Sequence, residues 1–203
     1  SSRERSSAST ASASRLICAR NGAKSFVFNG VQIIDYCGPY EVFGQAGYEV
    51  FTVAPSGKPV RSHEGLLIQP HVTFANSPPL DILVVPSAMD TKRLLADRAL
   101  VAFIKEHGAR ARYVASHCAG AFLLGKAGLL DGRRATTYIG GAEPLQKMFP
   151  KARVEGDKHV VVDGDLVTTI GGAVSYEGSL ALLERVVVVL AIVLYGNRLS
   201  KLP

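Results

Sequence analysis

Apolar and polar positions along this chain follow two periods. Short apolar runs of strand length alternate with longer stretches in which apolar residues recur every three to four positions, the signature of a parallel sheet with crossover helices. Strands are predicted over residues 24–28, 48–54 (YEVFTVA), 81–86 (DILVVP) and 113–116. The unbroken apolar run of DILVVP reads as a strand buried on both faces. Helices are expected over 38–45, 91–107, 119–126 and 142–148, with Gly47 and Gly108 ending two of them. Pro and Gly punctuate 55–80 around the LLI at 66–68, which predicts small strands or a hairpin. A further strand is expected over 134–137, and an edge hairpin over 158–169 turning at Asp163-Gly164. Residues 173–194 read as one long apolar helix that closes the chain. No repeat and no linker divides this pattern, so residues 24–203 form a single α/β domain. Residues 1–23, opening SSRERSSASTASAS, read as a disordered or irregular tail.

Composition narrows the possible functions. The chain has 203 residues, enough for one well-buried core, with 47% hydrophobic and 20% charged residues. A net charge of +6 invites a nucleic-acid partner. The basic residues are scattered, however, with no basic helix and no zinc-finger spacing, so a solvated basic surface is expected instead. The most apolar run, VVVVLAIVLY at 186–195, is too short to span a bilayer, and no membrane association is expected. Three cysteines, Cys18, Cys37 and Cys118, make neither a disulfide framework nor a CxxC metal site. A reducing, cytoplasmic setting and no bound metal are therefore expected. Gly30, Gly38 and Gly44 do not form a phosphate-binding GxGxxG, and no cofactor is expected.

The chemistry concentrates in YVASHCAGAFLLG, residues 113–125. Cys118 sits at the seam between a predicted strand and a predicted helix, followed by Ala119, Gly120 and Ala121. Such a turn is sharp, and small neighbours relieve its crowding; the serine of a nucleophile elbow obeys the same geometry. At a helix N-terminus the partial positive charge favours thiolate, so a lowered thiol pKa is expected. The same position also suits a small buried hydrophobe. Asp35, three residues before Gly38 of Gly-Pro-Tyr-Glu, has two readings as well: a helix N-cap, or a carboxyl beside the thiol.

The blocks GVQIIDYCGPYEVFG (30–44), DILVVP (81–86), ASHCAGAFLLGKAGLLDGRRATTY (115–138) and GDLVTTIGG (164–172) together resemble the ThiJ/PfpI superfamily, relatives of class I glutamine amidotransferase domains. The resemblance is to the isonitrile hydratase-like branch. It implies a flavodoxin-like three-layer α/β sandwich with a mostly parallel central sheet and a nucleophile elbow. It also implies a homodimer acting on a small molecule. Cys118 matches the family's reactive cysteine and Asp35 its acid, giving a nucleophile and an acid/base for a lyase (hydratase) or hydrolase that needs no cofactor. The alternative is a non-catalytic small-molecule-binding or redox-sensing module.

Departures from the family pattern mark the remaining candidates. Ala119 stands where threonine is usual after the cysteine. Pro86-Ser87-Ala88 replaces Pro-Gly-Gly, whose backbone N–H groups would face a substrate. Tyr138 stands where histidine is common. Ser87, Ala88, Ala119, Tyr138 and Gly171 are accordingly expected to contact substrate. His117 and His159 are expected to be structural, so no Cys-His-Asp triad is expected. Cys37 is a size substitution that could approach the same pocket.

Overall fold

The computed structural model describes residues 22–199, without the side chains of Lys24 and residues 188–199. Most of the expected tail, Cys18, and the side chains of most of the 186–195 run therefore lie outside the described residues.

Seven strands form the central sheet in the order β10-β11-β7-β6-β1-β2-β5. They are β1 (Ala23–Phe26), β2 (Val50–Ala54), β5 (Val72–Thr73), β6 (Ile82–Val85), β7 (Tyr113–His117), β10 (Val160–Asp163) and β11 (Leu166–Thr169). All pairings are parallel except that of β10 with β11, the hairpin expected at Asp163-Gly164. Two small sheets lie outside: β3 (Val60–Arg61) with β4 (Leu67–Ile68), and β8 (Arg134–Ala135) with β9 (Arg153–Val154).

Alternation along the strands sorts side chains between two cores. On one face Ile82, Val84, Tyr113 and Ala115 pack with Phe43 of α1 (Ile33–Gln45) and Leu182 of α6 (Val174–Leu199). On the other, Phe26, Leu83, Val85 and Val114 meet α3 (Arg98–Arg110) and α4 (Gly120–Lys126) through Leu100, Phe103, Ile104 and Leu123. The molecule is thus the three-layer sandwich that the resemblance implied. The order in which strands are added to the sheet reverses between β1 and β6, where α/β sheets open a crevice at the carboxyl ends of their strands.

Two elements depart from expectation, and each departure has a local cause. The helix expected from residue 38 begins five residues earlier, so Asp35 lies inside the first turn of α1 rather than before it. The helix expected over 91–107 is two helices, α2 (Thr91–Ala96) and α3. Asp97 ends the first in extended backbone and caps the second, accepting from the N–H groups of Ala99 and Leu100 at 3.0 Å. The remaining helix, α5, spans Ala142–Met148. Among the described residues no helix is long and apolar enough to cross a membrane.

Candidate active site

Among the described non-glycine residues, Cys118 alone has a positive φ, 52°. That left-handed conformation costs on the order of 1–3 kcal/mol and persists only where surroundings fix it. Hydrogen bonds hold it from both sides. The Cys118 N–H donates to the Thr169 carbonyl at 2.9 Å, and the Thr137 hydroxyl donates to the Cys118 carbonyl at 2.9 Å. The neighbouring glycines are required by contact. A Cβ on Gly171 would sit 2.3 Å from that of Cys118, and one on Gly120 would sit 2.2 Å from the Val85 carbonyl oxygen. The strand-to-helix seam is therefore a true elbow, at the carboxyl end of β7.

Asp35 is fully buried behind the elbow, and it is not a cap. Its Oδ1 accepts from the Gly172 N–H at 3.0 Å and from the Ser175 hydroxyl at 2.8 Å, both at the start of α6. Its Oδ2 contacts the Ser87 hydroxyl, which also contacts Gln32 Oε1. The Ser87 hydroxyl also acts on the Cys118 thiol, favouring its ionised form. Ser87 thus lies between the Asp35 carboxyl and the Cys118 thiol, and its single proton serves one acceptor at a time.

The thiol departs from the sequence expectation. Burial pushes the Cys118 pKa above its ordinary value, and the negative charge of Asp35 pushes it the same way. Hydrogen bonds from the Ala119 N–H and the Ser87 hydroxyl pull it back without overcoming these effects. The expected lowering fails because α4 has only seven residues while the sulfur is recessed beside a carboxylate. The balance of these effects favours the thiol over the thiolate.

His117 faces the opposite side of β7. It is fully buried, with Nδ1 2.8 Å from the Thr169 hydroxyl. Burial drives its pKa from 6.5 down to about 4, and the charge of Asp35 only partly offsets this. The Thr169 hydroxyl in turn accepts from the Gly171 N–H at 3.1 Å. His117 thus supports the loop behind the elbow. The structure likewise does not bring Cys37 to the site: it is half-buried and packs against the core. Glu41 is exposed and accepts from Gln45.

In front of the thiol lies a cleft of about 320 Å³ lined by Gln32, Ala88, Met89, Thr91, Cys118, Ala119 and Tyr138. The structure brings Ala88, Ala119 and Tyr138 to this cleft. Ser87 is buried beneath it, with its hydroxyl turned to Asp35 and Gln32. Gly171 does not line the cleft; it backs the cysteine, and its N–H is engaged by Thr169. Sequence reasoning missed Gln32, Met89, Ser175 and Thr137. The only signal for Ser175 was its place just after the Gly171-Gly172 pair. Among the described residues no three His, Cys, Asp or Glu side chains come together as metal ligands.

An elbow cysteine, a buried carboxyl behind it and a doubly wound sheet define a class, and comparison with known proteins assigns it. Residues 23–185 match the DJ-1/PfpI family, to which this chain belongs. The isonitrile hydratase of Pseudomonas putida is 35% identical over 162 residues, which cover 79% of this chain and 70% of that protein. The deglycase PfpI of Pyrococcus furiosus is 28% identical over 144 residues, covering 70% of this chain and 84% of that one. Among solved structures, a ThiJ/PfpI family protein from Pseudomonas syringae superposes with a TM-score of 0.76 at 32% identity, covering 82% of this chain and 69% of that one.

Proposed function

We propose that the protein is a cofactor-independent hydratase of the isonitrile hydratase kind, with Cys118 as nucleophile and Asp35 as acid/base. The observation that carries this reading is a buried Ser87–Asp35 pair set behind the elbow cysteine, with burial and the Asp35 charge favouring the thiol over the thiolate. As the sulfur adds to the terminal carbon of an isonitrile, its proton passes to Ser87 while the Ser87 proton passes to Asp35. Asp35 then returns a proton, through the same hydroxyl, to the carbon, giving an S-bound thioimidate. Water adds across the C=N bond with Asp35 as base. Collapse expels the thiol and releases an N-substituted formamide. The 35% identity to an isonitrile hydratase supports this substrate class over other electrophilic carbons.

Incubation with an alkyl isonitrile, followed by NMR, tests the reading. Formamide is expected, and it disappears in Cys118→Ser; turnover unaffected by that substitution would rule out the mechanism. The redox-sensing alternative would instead give selective oxidation of Cys118 by mild peroxide, seen by mass spectrometry, with no formamide from any isonitrile.

A homodimer and a reducing, cytoplasmic setting complete the proposal. Tyr176, Leu180 and Val187 are exposed on α6 at helical spacing, a face that a second copy would cover. Sedimentation should show a dimer that Leu180→Glu splits; a monomer at micromolar concentration would contradict it.

A further inference from the structure

The cleft in front of Cys118 does not end at Tyr138. A second chamber of about 340 Å³ continues from it, and the two share Met89, Thr91 and Tyr138 as common walls. The far side of this chamber is apolar: Leu95 of α2, Phe122 of α4 and Met148 of α5. Its floor is Phe122, buried beneath Tyr138 with the two rings nearly parallel at 6.0 Å between centroids. Its charged residues, Asp90 and Lys92, are both exposed, and Asp90 is occupied in capping α2 through the Arg93 N–H. Met89 and Met148 remain 67% and 51% exposed at the mouth, although each side chain has an apolar wall beside it. Flexible thioethers at such a mouth adapt to varied apolar shapes.

We propose that this chamber is the subsite for the substituent of the substrate, and that the substituent is an extended apolar group, an alkyl chain of several carbons or a flat ring. The occupant is part of the molecule that reacts at Cys118, because the chamber opens off the thiol's own cleft. Atoms beyond the reacting carbon have an apolar path along Met89 and Tyr138. The proposal rests on Cys118 being the reacting group, not on which electrophile it attacks.

A series of N-alkylmaleimides tests this without requiring turnover. Maleimides alkylate thiols, so the rate of Cys118 modification can be followed by peptide mass spectrometry, with each reagent normalised to its rate with glutathione. Each fully buried methylene adds roughly fourfold in affinity. The normalised rate is therefore expected to rise at least tenfold from N-methyl to N-hexyl maleimide. Met148→Lys, on the exposed rim, should reduce that rise to under threefold, with Met148→Ser as a second variant if the lysine lowers the melting temperature. A flat series on a reactive Cys118, or an equal rise in both variants, would overturn the subsite. So would a hexyl rate that falls as protein concentration rises, which would show a second copy covering the chamber. A Cys118 inert to every reagent, with no formamide from any isonitrile, would instead defeat the catalytic reading and the subsite with it. A chain-length rise without isonitrile turnover would support the subsite and reject only the hydratase chemistry.

Discussion

On the α6 side of the Cys118 sulfur, Gly171 presses against the cysteine, Thr169 and Thr137 clamp its backbone, and Asp35 takes hydrogen bonds from Gly172, Ser175 and Ser87. On the cleft side, Met89, Tyr138 and Met148 border open space and are partly or largely exposed. The rear is polar, buried and almost fully partnered; the front is apolar and loosely covered. A buried polar cluster has few solutions because each donor lost leaves a partner unsatisfied. An exposed apolar wall has many, because most side chains of similar volume serve. Under the proposed function, chemistry resides behind the sulfur and substrate choice in front of it.

Substitutions should fall unequally on the two regions. The largest effect is expected at the sulfur: Cys118→Ser should reduce isonitrile turnover by about a thousandfold or more, with thermal stability nearly unchanged. Gly171→Ala combines a Cβ 2.3 Å from that of Cys118 with a φ of 85°, and should cost about 3 kcal/mol in denaturant unfolding. His117 makes rear stability depend on pH. Its unfolded form binds a proton near 6.5 and its folded form only at about 4. Its contribution is thus complete above pH 6.5 and is lost as pH falls toward 4, by about 3 kcal/mol. His117→Gln should flatten that part of the stability curve. The smallest effect is expected in front: Met89→Ser, at a residue 67% exposed, should shift stability by no more than about 0.5 kcal/mol. An equally large loss there would break the comparison.

The two regions were also unequally legible in the amino-acid sequence. Strands β6 and β7, the hairpin of β10 with β11, and the elbow at Cys118 could be read because apolar runs and small residues leave a periodic trace. Asp35 was found, but its backbone setting was misread. The Gly-Pro after it suggested a later helix start, whereas α1 already runs through it with Pro39 inside. The Asp97 break was missed because apolar periodicity continues through it and only its capping side chain marks the boundary. The thiol's upward shift was illegible for a different reason: helix-end charge is local in sequence, while burial and the nearness of Asp35 arise only when distant segments meet. The chamber beyond Tyr138 left no motif, since α2, α4 and α5 each supply it one or a few apolar residues.

In the proposed mechanism Asp35 accepts and donates a proton through Ser87, rather than acting as a charge that creates thiolate. Measuring the pH dependence of Cys118 alkylation alongside isonitrile turnover in Asp35→Asn separates these roles most directly. Removing the carboxylate charge should move the thiol's titration downward and speed alkylation at neutral pH, while turnover falls by about a hundredfold. Alkylation that slows together with turnover would contradict the account.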